Sequence, residues 1–211
     1  MTEPSITRHT WDGDAPSGVV SFTAMADGTA EEYELLERHE RAYAAGLPDR
    51  VLHALRALDG SLGGYQISRL EHSLQSATRA RRDGADVNWV VAALTHDIGD
   101  ELSPYNHSEL AASILQPYVP AEVHWVVLHH GVFQSYYYAH FYGGDRNARD
   151  QYRDHRWAGL CEEFCARWDQ SSFDPAYVND PLESFVDDLR EVFGRPAWSP
   201  DVVAVGSERL S

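Results

Sequence analysis

The chain has 211 residues, 43% of them hydrophobic, 11% aromatic and 24% charged, a composition that suits one globular domain and excludes disorder throughout. A formal charge of −16 opposes binding to phosphate backbones and anionic membranes, so neither nucleic acid nor a membrane is an expected partner. All 17 basic residues are Arg, which excludes a Schiff-base lysine, a P-loop lysine and a lysine general base.

Residues 1 to about 30 mix Gly, Pro, Ser, Thr and Asp and read as an arm, with one short extended candidate at Val19-Val20-Ser21-Phe22. Helical periodicity then begins over Glu31–Ala45, and Asp49 is a candidate cap for a helix carrying Val51, Leu52, Leu55 and Leu58. Asp59-Gly60-Ser61-Leu62-Gly63-Gly64 breaks the chain. A helix from about Gln66 to Arg82 follows, striped by Ile67, Leu70, Leu74 and Ala77. The next, Val87 to Ile98, is apolar nearly all round and therefore belongs at the centre.

Asn106-His107-Ser108-Glu109 has the pattern of a capping signal before Leu110–Leu115. Pro117 and Pro120 punctuate the next junction, and Ala121 to about His140 reads as helix. Two last helices fit Trp157–Trp168 and Pro181–Phe193, the latter with Pro near its first turn. Ser199–Ser211 is patternless. The expected organisation is an arm and first helix over 1–45, a helical metal-binding domain over 46–198, and a flexible tail over 199–211; the fold class is all-α.

Cys161 and Cys165 are too few for a disulfide framework or a tetrathiolate zinc site and are expected to pack in the core. No apolar run approaches the length of about 18 residues that a membrane span requires, and the N-terminus lacks the order of a signal peptide, so a cytoplasmic protein is expected.

The chemistry lies among eleven His. His96-Asp97 closes the most apolar helix, where an ionised carboxylate is costly unless it is paired or bound to a cation. Adjacent helical residues differ by about 100°, yet both can reach a metal centre lying against the helix end, above all if the carboxylate bridges two ions. His72 precedes Gln75 by three residues and shares its helical face, which makes Gln75 a candidate for orienting a ligand or a bound water. His130 follows Val126 and Val127 at helical spacing and competes with His129 for the same role. His107 starts its helix and Asp169 ends another. Together these residues offer four imidazoles and two carboxylates without thiolate, a donor set that suits iron or manganese better than structural zinc.

These residues carry a resemblance. The spaced His, the doublet in Ala93-Leu94-Thr95-His96-Asp97-Ile98-Gly99 and the later Asp169 resemble the HD-domain superfamily over about residues 50–190. With His107 and His130 added, the set is similar to the mixed-valent diiron oxygenase branch, which includes inositol oxygenase and the oxygenases that cleave hydroxylated organophosphonates. Leu70-Glu71-His72-Ser73-Leu74-Gln75 looks especially like the latter.

The resemblance implies a compact helical bundle around two iron ions, Fe2+ and Fe3+. His72, His96, Asp97 and Asp169 would hold one iron, while Asp97 would bridge to a second held by His107 and His130. It also implies a small hydroxylated substrate and dioxygen as partners, with oxidative cleavage of a carbon–carbon or carbon–phosphorus bond.

The sequence departs from these relatives at places that bear on the substrate. Asp100 stands where both kinds of oxygenase carry a basic residue, and Gln134 where the phosphonate oxygenase pattern can place Lys. Tyr65 lies seven residues before His72, but no acid accompanies it in Leu62-Gly63-Gly64. Tyr65, Gln75, Asp100 and Gln134 are the catalytic candidates; Tyr65, Gln134 and Arg146 are the candidates for substrate contact, with Arg146 or Arg149 needed for any anion clamp. Asp100 favours a cationic or polyol substrate.

The leading expectation is a diiron oxygenase acting on an organophosphonate or polyol-like compound. The alternative is an HD phosphohydrolase using Mn2+ or Mg2+ to activate water against a nucleotide or other phosphate ester. A third is a diiron sensor or dioxygen-binding protein without turnover.

Overall fold

The computed structural model describes residues 16–203, and every regular element among them is helical. The arm before residue 16 and the tail beyond residue 203 lie outside the described residues. Val19–Phe22 forms no strand. The segment is held instead by a side chain of the first helix: Glu32 Oε1 accepts from the amide and the hydroxyl of Ser21 at 2.7 and 2.8 Å. That helix, α1 (Ala30–Ala45), starts at a capping box in which Thr29 Oγ1 accepts from Glu32 N and Glu32 Oε2 accepts from Thr29 N. None of its residues is fully buried, so α1 lies outside the core.

The second helix, α2 (Leu47–Ala57), begins ahead of Asp49, which therefore does not cap it. Gly46 is the N-cap, Pro48 sits in the first turn, and Asp49 adds negative charge there. Val51 and Leu55 turn inward. The third, α3 (Arg69–Arg82), starts three residues later than its apolar stripe suggests. A second capping box sets that start: Ser68 Oγ accepts from Glu71 N at 3.1 Å and Glu71 Oε2 accepts from Ser68 N at 2.8 Å. Ile67 packs inward from the preceding turn.

The fourth helix, α4 (Val87–Thr95), opens on Asp86, whose carboxylate accepts from the amides of Asn88 and Trp89. Val90 through Thr95 are all buried, and α4 packs against α3 on one side as its apolar pattern requires. It ends three residues before Ile98, the end expected from the sequence. The chain tightens into turns in which Ile98 N donates to Thr95 O and Asp100 N donates to Asp97 O, both at 3.0 Å. Gly99 sits inside those turns because a Cβ there would lie 2.7 Å from His107 O and 2.9 Å from His107 Cα. The absent side chain lets the next helix dock against the doublet.

That helix is α5 (His107–Leu115). It starts at the expected residue, but the Asn106 side chain makes no capping bond. It pairs with α6 (Ala121–Gln134), which packs on α4 and stops six residues short of His140. The three consecutive Tyr after Ser135 are poor helix formers, and Gly143 adopts the left-handed conformation at φ 76°, so the chain continues as two short 3₁₀ turns instead.

The expected Trp157–Trp168 helix divides. The seventh helix, α7 (Ala158–Phe164), passes into a π turn over Cys165–Asp169, closed by Gln170 N donating to Cys165 O at 2.9 Å. Cys161 and Cys165 are both buried there, as free thiols in the core. The last helix, α8 (Val186–Phe193), packs on α2 and α4. The turns over Leu182–Phe185 before it are 3₁₀, so Pro181 precedes a 3₁₀ turn and not the α-helix itself.

Leu55, Leu94, Leu115, Phe133, Phe164 and Phe185 are almost fully enclosed and tie these helices into one core around α4. Burying each such side chain contributes about 1.5–3 kcal/mol, which is what fixes the C-terminal end of α4 deep in the protein. No helix among the described residues is long and apolar enough to cross a membrane.

Candidate metal centre

Four elements meet at the C-terminal end of α4. His72 comes from α3, His96 and Asp97 from the turns after α4, and His130 from α6. Asp169 closes the π turn, and all five side chains are buried. His107, the first residue of α5, stands at the rim with its side chain 26% exposed.

The nitrogens and oxygens converge tightly. His72 Nε2 lies 3.1 Å from His96 Nε2, 3.2 Å from Asp97 Oδ2 and 3.4 Å from Asp169 Oδ1. His96 Nε2 is 3.2 Å from Asp97 Oδ2 and 3.7 Å from Asp169 Oδ1. On the other side of the same carboxylate, Asp97 Oδ1 is 3.3 Å from both His107 Nε2 and His130 Nε2. Donors bonded at about 2.1 Å to a common ion stand about 3.0–3.4 Å apart along the edges of its coordination polyhedron, which is the spacing of every pair here except His96–Asp169.

Three of the imidazoles have their orientation fixed by main chain. Nδ1–H of His72 donates to Ser172 O, that of His96 to Ala93 O and that of His130 to Val127 O, at 2.7–2.8 Å. This leaves Nε2 of each ring directed at the carboxylates, the arrangement in which a His ligates a metal. Asp169 Oδ2 is buried without a hydrogen-bond partner, an acceptor that nothing in the protein satisfies. The residues present therefore fit a metal, with nitrogen and oxygen donors and no sulfur.

The electrostatics agree with that reading. Burial opposes ionisation of Asp97, but the charges on His96 and Arg69 override it and hold its carboxyl well below the usual range. Burial likewise opposes ionisation of Asp169, and hydrogen bonds from His72 and His96 pull it down. Burial also opposes the charged forms of His72 and His96, yet the same two carboxylates raise both pKa values, that of His96 strongly.

Gln134, Gln75, Tyr65 and Asp100, among the other sequence candidates, fall around this convergence. Gln134 Nε2 donates to Asp169 Oδ1 at 3.0 Å, while its Oε1 is buried and unpartnered. Gln75 exchanges two hydrogen bonds with the main chain of Asp174, at 2.8 and 3.3 Å, and so anchors the loop whose Ser172 carbonyl holds His72. Tyr65, half-exposed, stacks on Phe173 at 5.0 Å, and Phe173 stacks on His72 at 4.3 Å. Asp100 lies 3.5 Å from His107 Nδ1. Arg146 lies over the Tyr136 ring at 4.3 Å, with Arg149 over the same ring at 3.8 Å. His130, not His129, reaches the carboxylates; His129 stacks on Trp125 and donates to its carbonyl.

Sequence reasoning missed Arg69. Its guanidinium is buried, ion-paired to Asp97 Oδ2, and donates through Nε to Asp100 Oδ2 at 2.6 Å. A signal existed: a cation on the first residue of a helix opposes the helix dipole and needs a compensating carboxylate. Phe173 and Ser172 were also missed, since a loop carbonyl and a ring packed on His72 leave no pattern in sequence.

A family model for the HD domain matches residues 69–170, a stretch that encloses all six candidate ligands. No curated protein matches the chain. HD domains bind divalent metals and are usually metalloenzymes, typically hydrolases or oxygenases. The His and Asp groups gathered here could hold such a metal.

Proposed function

We propose that this chain is a dinuclear HD-domain oxygenase that uses two iron ions and dioxygen to cleave a small hydroxylated substrate. The observation that carries the reading is the division of labour within one side chain. Asp97 Oδ2 faces His72 and His96, while Oδ1 faces His107 and His130. A carboxylate so divided suits two ions better than one. His72, His96 and Asp169 would complete one ligand set and His107 and His130 the other, the second with fewer protein donors and so more room for exogenous ligands.

Bound iron would supply the activation of dioxygen and the docking of a substrate hydroxyl. The chain's own residues do the rest. Gln134 steadies Asp169 through Nε2, and its unpartnered Oε1 is available to accept a hydrogen bond from a substrate hydroxyl. The Tyr65–Phe173 stack forms an aromatic wall against His72. Arg69, the cation nearest the carboxylates, is committed to Asp97 and Asp100, which leaves it unavailable to a phosphate dianion. The same holds for a phosphonate, so the pairing favours a polyol or ammonium alcohol over an anionic substrate.

The test is oxygen uptake by the iron-loaded chain against hydroxylated phosphonates, polyols and ammonium alcohols. A parallel assay follows phosphate release from nucleotides and simple esters with Mn2+ or Mg2+. Substrate-dependent uptake with iron is the expected result. Metal-dependent phosphate release with no uptake would move the assignment to a phosphohydrolase, and tight iron binding with neither activity to a sensor.

A further inference from the structure

We propose that Arg69 and Asp100 are positioning residues for the second ion and act by fixing His107; the inference rests on the two-ion reading above. Three site imidazoles are held by main-chain carbonyls, but His107 turns its Nδ1 to the Asp100 carboxylate at 3.5 Å. Its ring is partly exposed, so water competes for its nitrogens. Asp100 is the group that keeps Nε2 directed at Asp97 Oδ1.

Asp100 is fixed in turn. Its Oδ2 accepts from Arg69 Nε at 2.6 Å, leaving Oδ1 for His107. The terminal nitrogen of the same guanidinium pairs with Asp97 Oδ2. Arg69, Asp97, His107 and Asp100 thus close a ring of alternating cations or imidazole and carboxylates. That ring ties the first residue of α3, the turns after α4 and the first residue of α5. Arg suits the corner because its planar fork reaches two carboxylates at once; a Lys offers only a point charge. Gly99 allows the ring to close, since any side chain there would push the His107 backbone away.

Asp97, Asp100 and His107 lie close enough together to hold an ion themselves. Their geometry argues against it. Asp97 faces Nε2 of His107 and Asp100 faces Nδ1, and one imidazole cannot direct both nitrogens at the same ion. The structure therefore assigns Asp100 a place behind the ligand, not among the ligands.

The experiment loads the full chain with iron anaerobically and measures metal content, second-ion affinity and the coupled mixed-valent paramagnetic signal. Wild type is compared with Asp100→Ala, Asp100→Asn, Arg69→Gln and His107→Ala, with circular dichroism as the check on folding. Asp100→Ala is expected to bind the second ion about 10–100-fold more weakly, to drop from about two ions to about one, and to lose the coupled signal. His107→Ala should match it, and the double variant should lose nothing further, because both substitutions break one device. Arg69→Gln, able to serve one carboxylate but not both, should weaken the second ion to a smaller extent.

Asp100→Asn keeps the volume and an acceptor oxygen but not the charge, and is expected to fall between wild type and Asp100→Ala. It decides the matter if Asp100→Ala does not fold. Wild-type second-ion affinity in either folded Asp100 variant overturns the inference, as does loss of both ions from a folded one. A wild type that binds a single ion contradicts the two-ion reading itself, and this inference with it.

Discussion

The Nε2 atoms of His72 and His96 face each other 3.1 Å apart inside the protein, while Nδ1 of each ring donates to a main-chain carbonyl. Two imidazole lone pairs at that separation repel, so a cation has to stand between them. Asp97 and Asp169 raise the pKa values of both rings, so a proton can serve in the metal-free chain, and the same donors fit a metal ion. Proton and metal compete for one place, and the competition makes the centre testable from several directions.

The first prediction is a pH dependence. His72 and His96 have pKa values raised above 6.5 against the opposing effect of burial. Their contribution to the metal-free fold is therefore complete below about pH 6.5 and is lost as pH rises through the raised values. Asp97 and Asp169 are depressed, so their contribution is present above 3.8 and is lost as pH falls through the lowered values. Metal must displace the imidazole protons, so apparent affinity should rise about tenfold per pH unit for each proton displaced. Calorimetric titration in buffers of different ionisation enthalpy should show proton release. A metal-induced gain in Tm that stays flat with pH would contradict this.

The second prediction concerns the shared carboxylate. Asp97→Ala removes a ligand from both proposed ions and also leaves Arg69 with Asp100 alone. It should abolish the dinuclear centre, and metal analysis should find no tightly bound pair. Retention of two tight ions in a folded Asp97→Ala variant would refute the bridge.

The third prediction concerns Gly99. The side chain of Gly99→Ala would meet main-chain atoms of His107 at 2.7 and 2.9 Å, which cannot rotate away. Overpacking of this kind costs about 1–3 kcal/mol, and the strain falls on the backbone that carries His107, a proposed ligand. Lower Tm together with weakened binding of the second ion is the expected pair of effects. Unchanged metal affinity would mean that α5 docks without this close approach.

The fourth prediction lies away from the centre, at Glu32, which caps α1 and holds Ser21. Hydrogen bonds from the Thr29 and Ser21 main chain and the Ser21 hydroxyl lower its pKa to about 2. Its folded value is depressed, so the docking it provides is present above 4.5 and is lost as pH falls through about 2. Amide exchange at Ser21 and Thr29 should accelerate across that window, ahead of the core. Thr29→Ala should remove about 0.5–2 kcal/mol of helix capping at neutral pH. Exchange at Ser21 that ignores Glu32→Gln would separate the arm from the cap.

The sequence made the central helix plain because Val90 through Leu94 leave no polar face, and such a segment belongs inside. Its end was less legible. Apolar periodicity runs on through Ile98, whereas the turns that present His96 and Asp97 depend on hydrogen bonds between main-chain atoms and on Gly99 meeting α5. Capping boxes at Thr29 and Ser68 set helix starts that side-chain stripes blur by one and three residues. The π turn before Asp169 has no pattern of its own. Arg69 escaped notice because its partners lie 28 and 31 residues away in sequence. His130 could be preferred to His129 only weakly from the valine face; in the fold, Trp125 takes the His129 ring and Asp97 faces His130.

The most direct measurement is metal content, with electron paramagnetic resonance on partly reduced, anaerobically handled protein. The account predicts about two iron ions per chain and a coupled mixed-valent signal, since Asp97 would place both ions on one carboxylate. Stable occupancy by magnesium, manganese or cobalt, with no coupled signal after iron reconstitution, would contradict the oxygenase and favour hydrolysis. No bound metal even after reconstitution would contradict the centre itself.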